Sequence, residues 1–433
     1  RQRQMCIRDN NKAMSTIEKH DMTQGKILLP LVSFTIPLVL GNLFQLTYNA
    51  ADSVIVGKYV GEQALAAVGT STPIMNIAIL LISGMCMGAS VLMSSQYGAK
   101  DYDTLSRQIS TTMLAGCGFS VVFSLLMLLL ANPVLRLIRV PETAIPEAAA
   151  YLRIIFMGLI FTFMYNFLAN TMRALGDSKT PLYFLVTSAF LNIFGDLFFV
   201  VVLRWGVAGS AIATVCSEGL CCLLCGIYIK KKIPLLCLGK KWWVFDKSLL
   251  GKTVSYGSTS AMQQVCLQLG KLIIQSVVNT QGVAVMAAFT AVNRVDDFAY
   301  TPQQNIGHAM TTFLAQNKGA GHKERMKKGF QTGLLIELVY SIGLFCVIWG
   351  LAPQIMTLFA EDGDAQVVSL GISYLHLISW MYILPGLTNG VQGFFRGIGD
   401  LKVTLYSTFM NMFGRVVAVF VMIRLLQLSL IHI

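Results

Sequence analysis

One apolar segment near the start of the chain carries polar residues at helical spacing. The polar positions are i, i+3, i+7 and i+10, which lie on one face of an α-helix. They are Asn42, Gln45, Asn49 and Asp52. A face that ends in a carboxylate is too costly to expose to lipid, so we expect it to line a hydrated cavity. The alternative is that the stripe only holds neighbouring helices together.

Two later apolar segments repeat this arrangement over shorter distances. Asn192 and Asp196 are four residues apart, and so are Thr214 and Glu218. Residues four apart share a helix face, so each segment turns a pair of polar side chains in one direction. The three segments together therefore offer three carboxylates within hydrocarbon, where ionisable groups are functional candidates by default.

The depth of these residues predicts that they meet. At 1.5 Å per residue, Asp52, Asp196 and Thr214 each lie roughly 8–11 Å inside the same predicted end of their segments. Tyr151 begins another segment on that side. A common depth indicates one hydrated pocket, in which two carboxylates can hold a proton and release it after a rearrangement. The alternative is that Arg153 neutralises one carboxylate structurally.

The composition requires a membrane for these segments. Of 433 residues, 55% are hydrophobic and 12% are charged, and the mean hydropathy is +0.64. Soluble domains carry about 25% charged residues, so this chain cannot coat a soluble globule. Soluble enzymes, nucleic-acid binders and disordered proteins are excluded. Most of the ten cysteines lie inside apolar runs and are interpreted as packing residues.

Apolar runs between polar breaks predict an all-α protein with eleven transmembrane helices. A bilayer core needs about 20 apolar residues per helix. The predicted spans cover roughly 28–57, 64–95, 106–131, 148–172, 180–203, 207–229, 250–279, 284–315, 329–351, 366–395 and 401–423.

Basic residues are distributed unevenly between the predicted loops. They cluster after the even-numbered spans, most densely at 230–241 and 318–328, whereas the alternate loops hold only Lys58, Arg136, Arg139 and Arg204. The positive-inside rule then places the N-terminus and the basic loops in the cytoplasm. The net charge of +12 is thus mainly a signal of topology.

The chain consists of two homologous halves. The segments 172–183 and 395–406 share Arg, Gly, Asp, Lys, Leu and Tyr in the same order. Six spans in the first half return the chain to its starting side, which gives a pseudo-two-fold parallel repeat of six-helix bundles. The predicted divisions are 1–27 as a cytoplasmic segment, 28–229 as the N-lobe, 230–249 as a basic linker and 250–427 as the C-lobe.

The second half holds five spans, one fewer than its repeat requires. A partner for the sixth span would begin near residue 426. Residues 1–9 and 428–433 resemble translated sequencing-adapter sequence, so we interpret both as artefacts and expect a twelfth helix in the native protein.

Polar residues in the second half follow a different pattern. Gln263 and Gln264 lie in span 7, and Arg294 and Asp297 lie one helical turn apart in span 8. The spacing of Arg294 and Asp297 predicts an internal ion pair, and the four residues form a possible substrate surface. Glu337 in span 9 has no polar layer around it, so we assign it a minor role.

Several of these stretches resemble the multidrug and toxic compound extrusion (MATE) family. The resemblance is specific as a set and covers about residues 28–424. It is carried by 49–57, 192–196, 205–214 and 293–295, and by Arg-x-x-Gly-Asp turns at 173–177 and 396–400.

The resemblance implies a secondary active multidrug exporter. It implies two six-helix bundles in a V around a cleft, with an H⁺ or Na⁺ coupling ion and no other cofactor. It implies amphipathic or cationic drugs as substrates, a lipid environment, a monomer, and a bacterial cell membrane. Pro37 matches the bending proline of helix 1. The implied cation site comprises Gln45, Asp52, Tyr151, Asn192, Asp196 and Thr214.

The chain departs from the family branch that binds Na⁺ through carboxylates in the C-lobe. Span 7 has Gln263 and Gln264 in the relevant stretch, and span 10 has no acid. The coupling site is therefore expected in the N-lobe, where Na⁺ is an alternative to H⁺ at Asp52 and Asp196.

Two other functions are alternatives for a membrane protein of this composition. A lipid-linked oligosaccharide flippase of the same superfamily is the closest alternative, but two acids in one N-lobe layer disfavour it. A membrane-embedded enzyme would need a catalytic constellation, and the five histidines are scattered. We therefore expect a transporter and not an enzyme.

The repeat generates a first prediction. We expect the native gene to continue past Gln427 with a helix similar to 207–229, because the parallel repeat requires a sixth span in the C-lobe. Sequencing through the source locus tests this expectation. A stop codon directly after Gln427 would contradict it.

Overall fold

The structure is a computed structural model, and it describes residues 21–138, 140–142, 144–232, 243–280, 282–359 and 365–424. Twelve α-helices account for nearly all of this part of the chain. They are α1 Leu28–Tyr59, α2 Glu62–Gly98, α3 Tyr102–Leu137, α4 Ile145–Ala174, α5 Lys179–Asp196, α6 Gly206–Lys232, α7 Lys247–Val278, α8 Val283–Gly319, α9 Lys323–Phe359, α10 Ala365–Ser379, α11 Ile383–Gly397 and α12 Leu401–Arg424.

The helices confirm the predicted all-α class and follow the predicted spans. A 3₁₀ turn, Trp380–Tyr382, joins α10 to α11, so the twelve helices make eleven long segments. Nine segments in the described residues are long and apolar enough to cross a membrane. α7 and α8 are not among them, because they carry more polar residues than the others. Both predicted artefactual ends lie outside the described residues.

The described residues form two compact units. The first unit comprises Ile36–Ala261 with two short pieces, 21–24 and Gly319–Gly321. The second comprises Gly25–Thr35, Met262–Lys318 and 322–424. The division falls inside α1 and inside α7, not at the predicted linker 230–249, because the first half of α7 packs against α2. Pro37 lies inside α1, which continues through it, and the bend there remains a prediction.

Small residues bring α2 and α7 into backbone contact within the first unit. A β-carbon added at Gly84 would lie 2.5 Å from the Cα of Ala261, and one at Gly88 would meet the carbonyl of Tyr256. Gly257, four residues before Ala261, faces the backbone of Met85. Such small-xxx-small pairs let membrane helices approach closely, since lipid provides no hydrophobic drive for association.

α4 is the central helix of the first unit. It packs against α2, α3 and α6, and its side chains Leu152, Phe156, Leu159, Phe163 and Phe167 are all buried in one apolar cluster. This packing fixes the height and rotation of α4, and so of its polar residues. In the second unit, α9 packs against α10 and α11.

The α2–α7 crossing generates a second prediction. Gly88→Val should lower the thermal stability of the purified protein, because overpacking a tight site typically costs about 1–3 kcal/mol. Gly69→Val on the same helix is the matched control, since a β-carbon there meets nothing within 4 Å. Thermal unfolding in detergent measures both. Equal losses in the two variants would contradict the close crossing.

Candidate functional site

Asp52 and Asp196 meet in the interior of the first unit. Asp196, the last residue of α5, is fully buried, and no donor among the described residues bonds either of its oxygens. The carboxyl group of Asp52 on α1 lies beside it, within hydrogen-bonding reach if one of the two groups carries a proton. The Ser210 hydroxyl of α6 donates to Asp52 Oδ1 over 2.7 Å. The predicted pair is thus brought together, with Ser210 as an additional member.

A second polar contact between α5 and α6 lies one helical turn away from Asp196. The Asn192 side-chain amide donates to the Thr214 hydroxyl over 3.1 Å, while Asn192 Oδ1 has no partner among the described residues. Asn192 and Asp196 are one turn apart on α5, as Ser210 and Thr214 are on α6. We call Asp52, Asn192, Asp196, Ser210 and Thr214 the outer polar cluster.

The outer polar cluster has fewer hydrogen-bond donors than its acceptor oxygens need. Both carboxyl oxygens of Asp196 and the single side-chain oxygen of Asn192 are buried acceptors for which the described residues supply no donor. Buried acceptors without donors are costly, so the cluster needs a proton or a cation. Two carboxyl groups in contact satisfy each other only when they share a proton, and oxygen atoms are also the ligands of hard cations such as Na⁺.

The structure gives the other two residues predicted for this site, Tyr151 and Gln45, different surroundings. Tyr151 is buried and interacts electrostatically with Asp52 and Asp196, while its hydroxyl contacts the sulfur of Met75. Gln45 is exposed, and its side chain bonds Tyr48. The structure therefore places Tyr151 beside the cluster and gives Gln45 no direct bond to its carboxylates.

Glycine contacts and a π-helical turn characterise the approach of α5 to α6. A β-carbon at Gly195 would lie 3.0 Å from the Cβ of Ala213, and one at Gly209 would lie 3.0 Å from the carbonyl oxygen of Phe199. After Asp196 the chain continues as a π-helical turn, Leu197–Val202. Such turns are rare and often occur at functional sites. Neither feature is predictable from the hydrophobic pattern.

The second unit differs from the prediction. Asp297 pairs with Lys271 of α7 over 3.1 Å, and Arg294 forms no ion pair among the described residues. The predicted Arg294–Asp297 pair is therefore wrong, because α7 brings a closer cation than the same helix does. The neighbouring Asp296 accepts a hydrogen bond from Tyr382 over 2.6 Å.

The two glutamines of span 7 separate from this charged group. The buried Gln263 donates to Gln392 Oε1 and to the Thr408 hydroxyl, over 3.1 and 3.0 Å. It therefore joins α7 to α11 and α12. Gln264 is partly buried. Among the described residues, no hydrogen bond or ion pair joins the four residues predicted as one surface.

Glu337 has polar neighbours that the sequence does not predict, while its minor role remains a prediction. Glu337 is fully buried, and its carboxylate has no partner among the described residues. A β-carbon at Gly386 would lie 2.8 Å from Ser341 Oγ, 3.1 Å from Gln303 Nε2 and 3.4 Å from Glu337 Oε2. Gln303 of α8 and Ser341 of α9 therefore lie with Glu337 against Gly386 of α11. The i, i+4 spacing of Glu337 and Ser341 is the signal present in the sequence.

The contact between Asp52 and Asp196 generates a third prediction. In Na⁺-free buffer at neutral pH, the infrared difference between the native protein and the Asp52→Asn, Asp196→Asn double variant should show the carbonyl stretch of a protonated carboxyl group. The reason is that two carboxyl groups in contact cannot both be ionised. Adding Na⁺ should remove the band if Na⁺ replaces the proton. A difference confined to ionised carboxylate bands would contradict proton sharing.

Comparison with known proteins gives the family. The MatE family model matches residues 37–198 and 260–421, once in each half. The chain is 32% identical over 392 residues to the probable multidrug resistance protein YpnP of Bacillus subtilis, covering 90% of this chain and 86% of that protein. It is 28% identical to the probable multidrug resistance protein YoeA of the same organism, covering 93% and 88%.

Solved structures agree on the fold. A MOP superfamily transporter from Pyrococcus furiosus superposes with a TM-score of 0.88 at 23% identity, covering 95% of this chain and 92% of that one. The outward-facing structure of a multidrug resistance MATE family transporter superposes with a TM-score of 0.86 at 22% identity, covering 93% and 89%. With the family match in both halves, these results show that the chain belongs to the MATE family of membrane transporters.

Proposed function

We propose that this chain is a cell-membrane exporter that drives drugs outward by exchange for H⁺ or Na⁺ at the outer polar cluster. The observation that carries the proposal is the set of buried acceptor oxygens on Asp196 and Asn192 that lack donors. The multidrug resistance relatives support amphipathic or cationic drugs as the substrates.

The chemistry of exchange follows from the cost of buried charge. When a cation or a proton occupies the cluster, the acceptor oxygens are satisfied and the carboxyl pair is stable in a closed site. When it leaves, the pair carries an uncompensated charge that favours a hydrated or rearranged site. Cation and drug then drive the transporter in opposite directions because each prefers a different state, which is thermodynamic linkage.

The structure and the relatives rank the alternatives. The lipid-linked oligosaccharide flippase is not favoured, since the relatives above are named for multidrug resistance. Within the exporter, Glu337 and its neighbours are a second candidate coupling site, because its buried carboxylate also lacks a partner among the described residues. Mutation of the two sites separately distinguishes them.

The coupling role generates a fourth prediction. Asp52→Asn and Asp196→Asn should each lower gradient-driven ethidium efflux by about tenfold or more, because each variant removes an exchangeable charge while keeping side-chain size. Efflux from cells is measured with the pH gradient collapsed and, separately, without Na⁺, which identifies the ion. Asp103→Asn is the control, since Asp103 is exposed and pairs with Arg107 at the start of α3.

The double variant is the decisive case. Normal expression with background efflux in Asp52→Asn, Asp196→Asn agrees with coupling at the outer polar cluster. Sustained gradient-driven efflux in that variant would contradict it and would point to Glu337 in the second unit.

A further inference from the structure

A third carboxylate lies deeper in the first unit than the outer polar cluster. Glu218 follows Thr214 by one turn of α6, about 6 Å farther along the helix. The Thr162 hydroxyl of α4 donates to Glu218 Oε2 over 2.5 Å. Glu218 is half-buried, and a carboxylate in an apolar span faces the interior of the helix bundle or a water-filled cavity rather than lipid.

Polar side chains continue from Glu218 toward the basic loops. The Asn166 amide donates to the Thr162 carbonyl over 2.9 Å, and the Asn170 amide donates to the Asn166 carbonyl over 2.8 Å. These residues are spaced four apart on α4, so they share one face. We call Thr214, Glu218, Thr162, Asn166 and Asn170 the inner column.

The inner column begins at the outer polar cluster, because Thr214 belongs to both. The Thr214 hydroxyl oxygen accepts from Asn192, which leaves its own hydrogen available for donation. From Thr214 to Asn170 the column covers about 18 Å, one turn on α6 and two on α4. It ends within one turn of the end of α4 at Ala174, on the side predicted to be cytoplasmic.

No basic side chain in the described part of the chain holds Glu218 in its charged form. Its electrostatic neighbours are Tyr48 of α1, Tyr151 of α4, and Cys221 and Cys222 of α6, none of which is basic. Among the described residues no Lys or Arg forms an ion pair with Glu218. A carboxylate held permanently by a cation could not cycle, whereas one held by a hydroxyl can accept and release a proton.

From this geometry we propose that Glu218 is an inner proton-relay residue, which takes the proton leaving the Asp52–Asp196 pair and passes it toward the cytoplasmic ends of the helices. The inference rests on the proposed function with H⁺ as the coupling ion. The O–H bond of the donating carboxyl group breaks, and an O–H bond forms on Glu218. Glu218 then gives the proton to water, which restores its carboxylate. No electrons are exchanged, and Thr162 is a positioning residue.

The test uses the full chain in proteoliposomes with two assays. Uphill ethidium transport driven by a pH gradient requires proton release, whereas ethidium counterflow at equal pH requires only substrate binding and alternating access. Glu218→Gln should lower the first by about tenfold and leave the second within about twofold of the native rate. Glu142→Gln, an exposed loop residue, should leave both unchanged.

Two further variants separate a relay from a structural role. Glu218→Asp should restore part of the driven transport because it restores a proton carrier. Thr162→Val should keep counterflow and shift the pH at which driven transport is half-maximal, because Glu218 loses its hydroxyl donor. Thermal unfolding confirms that each variant is folded.

The outcomes distinguish the two proposals. Native driven transport in Glu218→Gln would overturn the relay while leaving coupling at the outer polar cluster intact. Loss of counterflow together with driven transport in a folded Glu218→Gln would also overturn it, since the residue would then serve substrate binding. A native protein that no ion gradient drives would instead overturn the proposed function itself.

Discussion

The rest of the first unit depends on one constraint, which is that the carboxyl group of Asp196 is buried in a membrane span without a donor of its own. A buried charge needs a partner, and here the partner is a second acid, Asp52. Two acids satisfy each other only through a proton or a cation. In the proposed mechanism the site is stable when a proton or cation occupies it and unstable when empty, which is the property that an ion-coupled transporter requires.

Close packing of the helices brings the polar side chains of this site into contact. Gly195 of α5 lets that helix approach Ala213 of α6, and Gly209 of α6 lets α6 approach Phe199 in the π-helical turn. At this separation Asn192 reaches Thr214. The same device recurs where α2 meets α7 at Gly84 and Gly88. Apolar packing alone cannot drive helices together in lipid, because lipid is as apolar as the side chains. Small residues and hydrogen bonds therefore determine which polar groups meet.

The two halves share a sequence repeat but not a chemistry. The first half concentrates acids on α1, α5 and α6, whereas the second unit joins α7, α11 and α12 through Gln263. Its fully buried acid, Glu337, lies instead between α8 and α11. Internal duplication fixes the helix order, and substitutions along each helix then decide what its interior can bind.

The sequence by itself determined the helical class, the eleven spans, the repeat and the candidate residues Asp52, Asp196 and Thr214, because hydropathy and helical spacing are local properties. Only the tertiary structure decided which side chains touch. Ser210 and Thr162 joined the acids, Lys271 replaced Arg294 as the partner of Asp297, and Gln45 gained no bond to the carboxylates. Which side chains pair depends on the rotation and separation of neighbouring helices. Glycine contacts and a π-helical turn set that geometry, and the spacing of residues along one helix does not encode it.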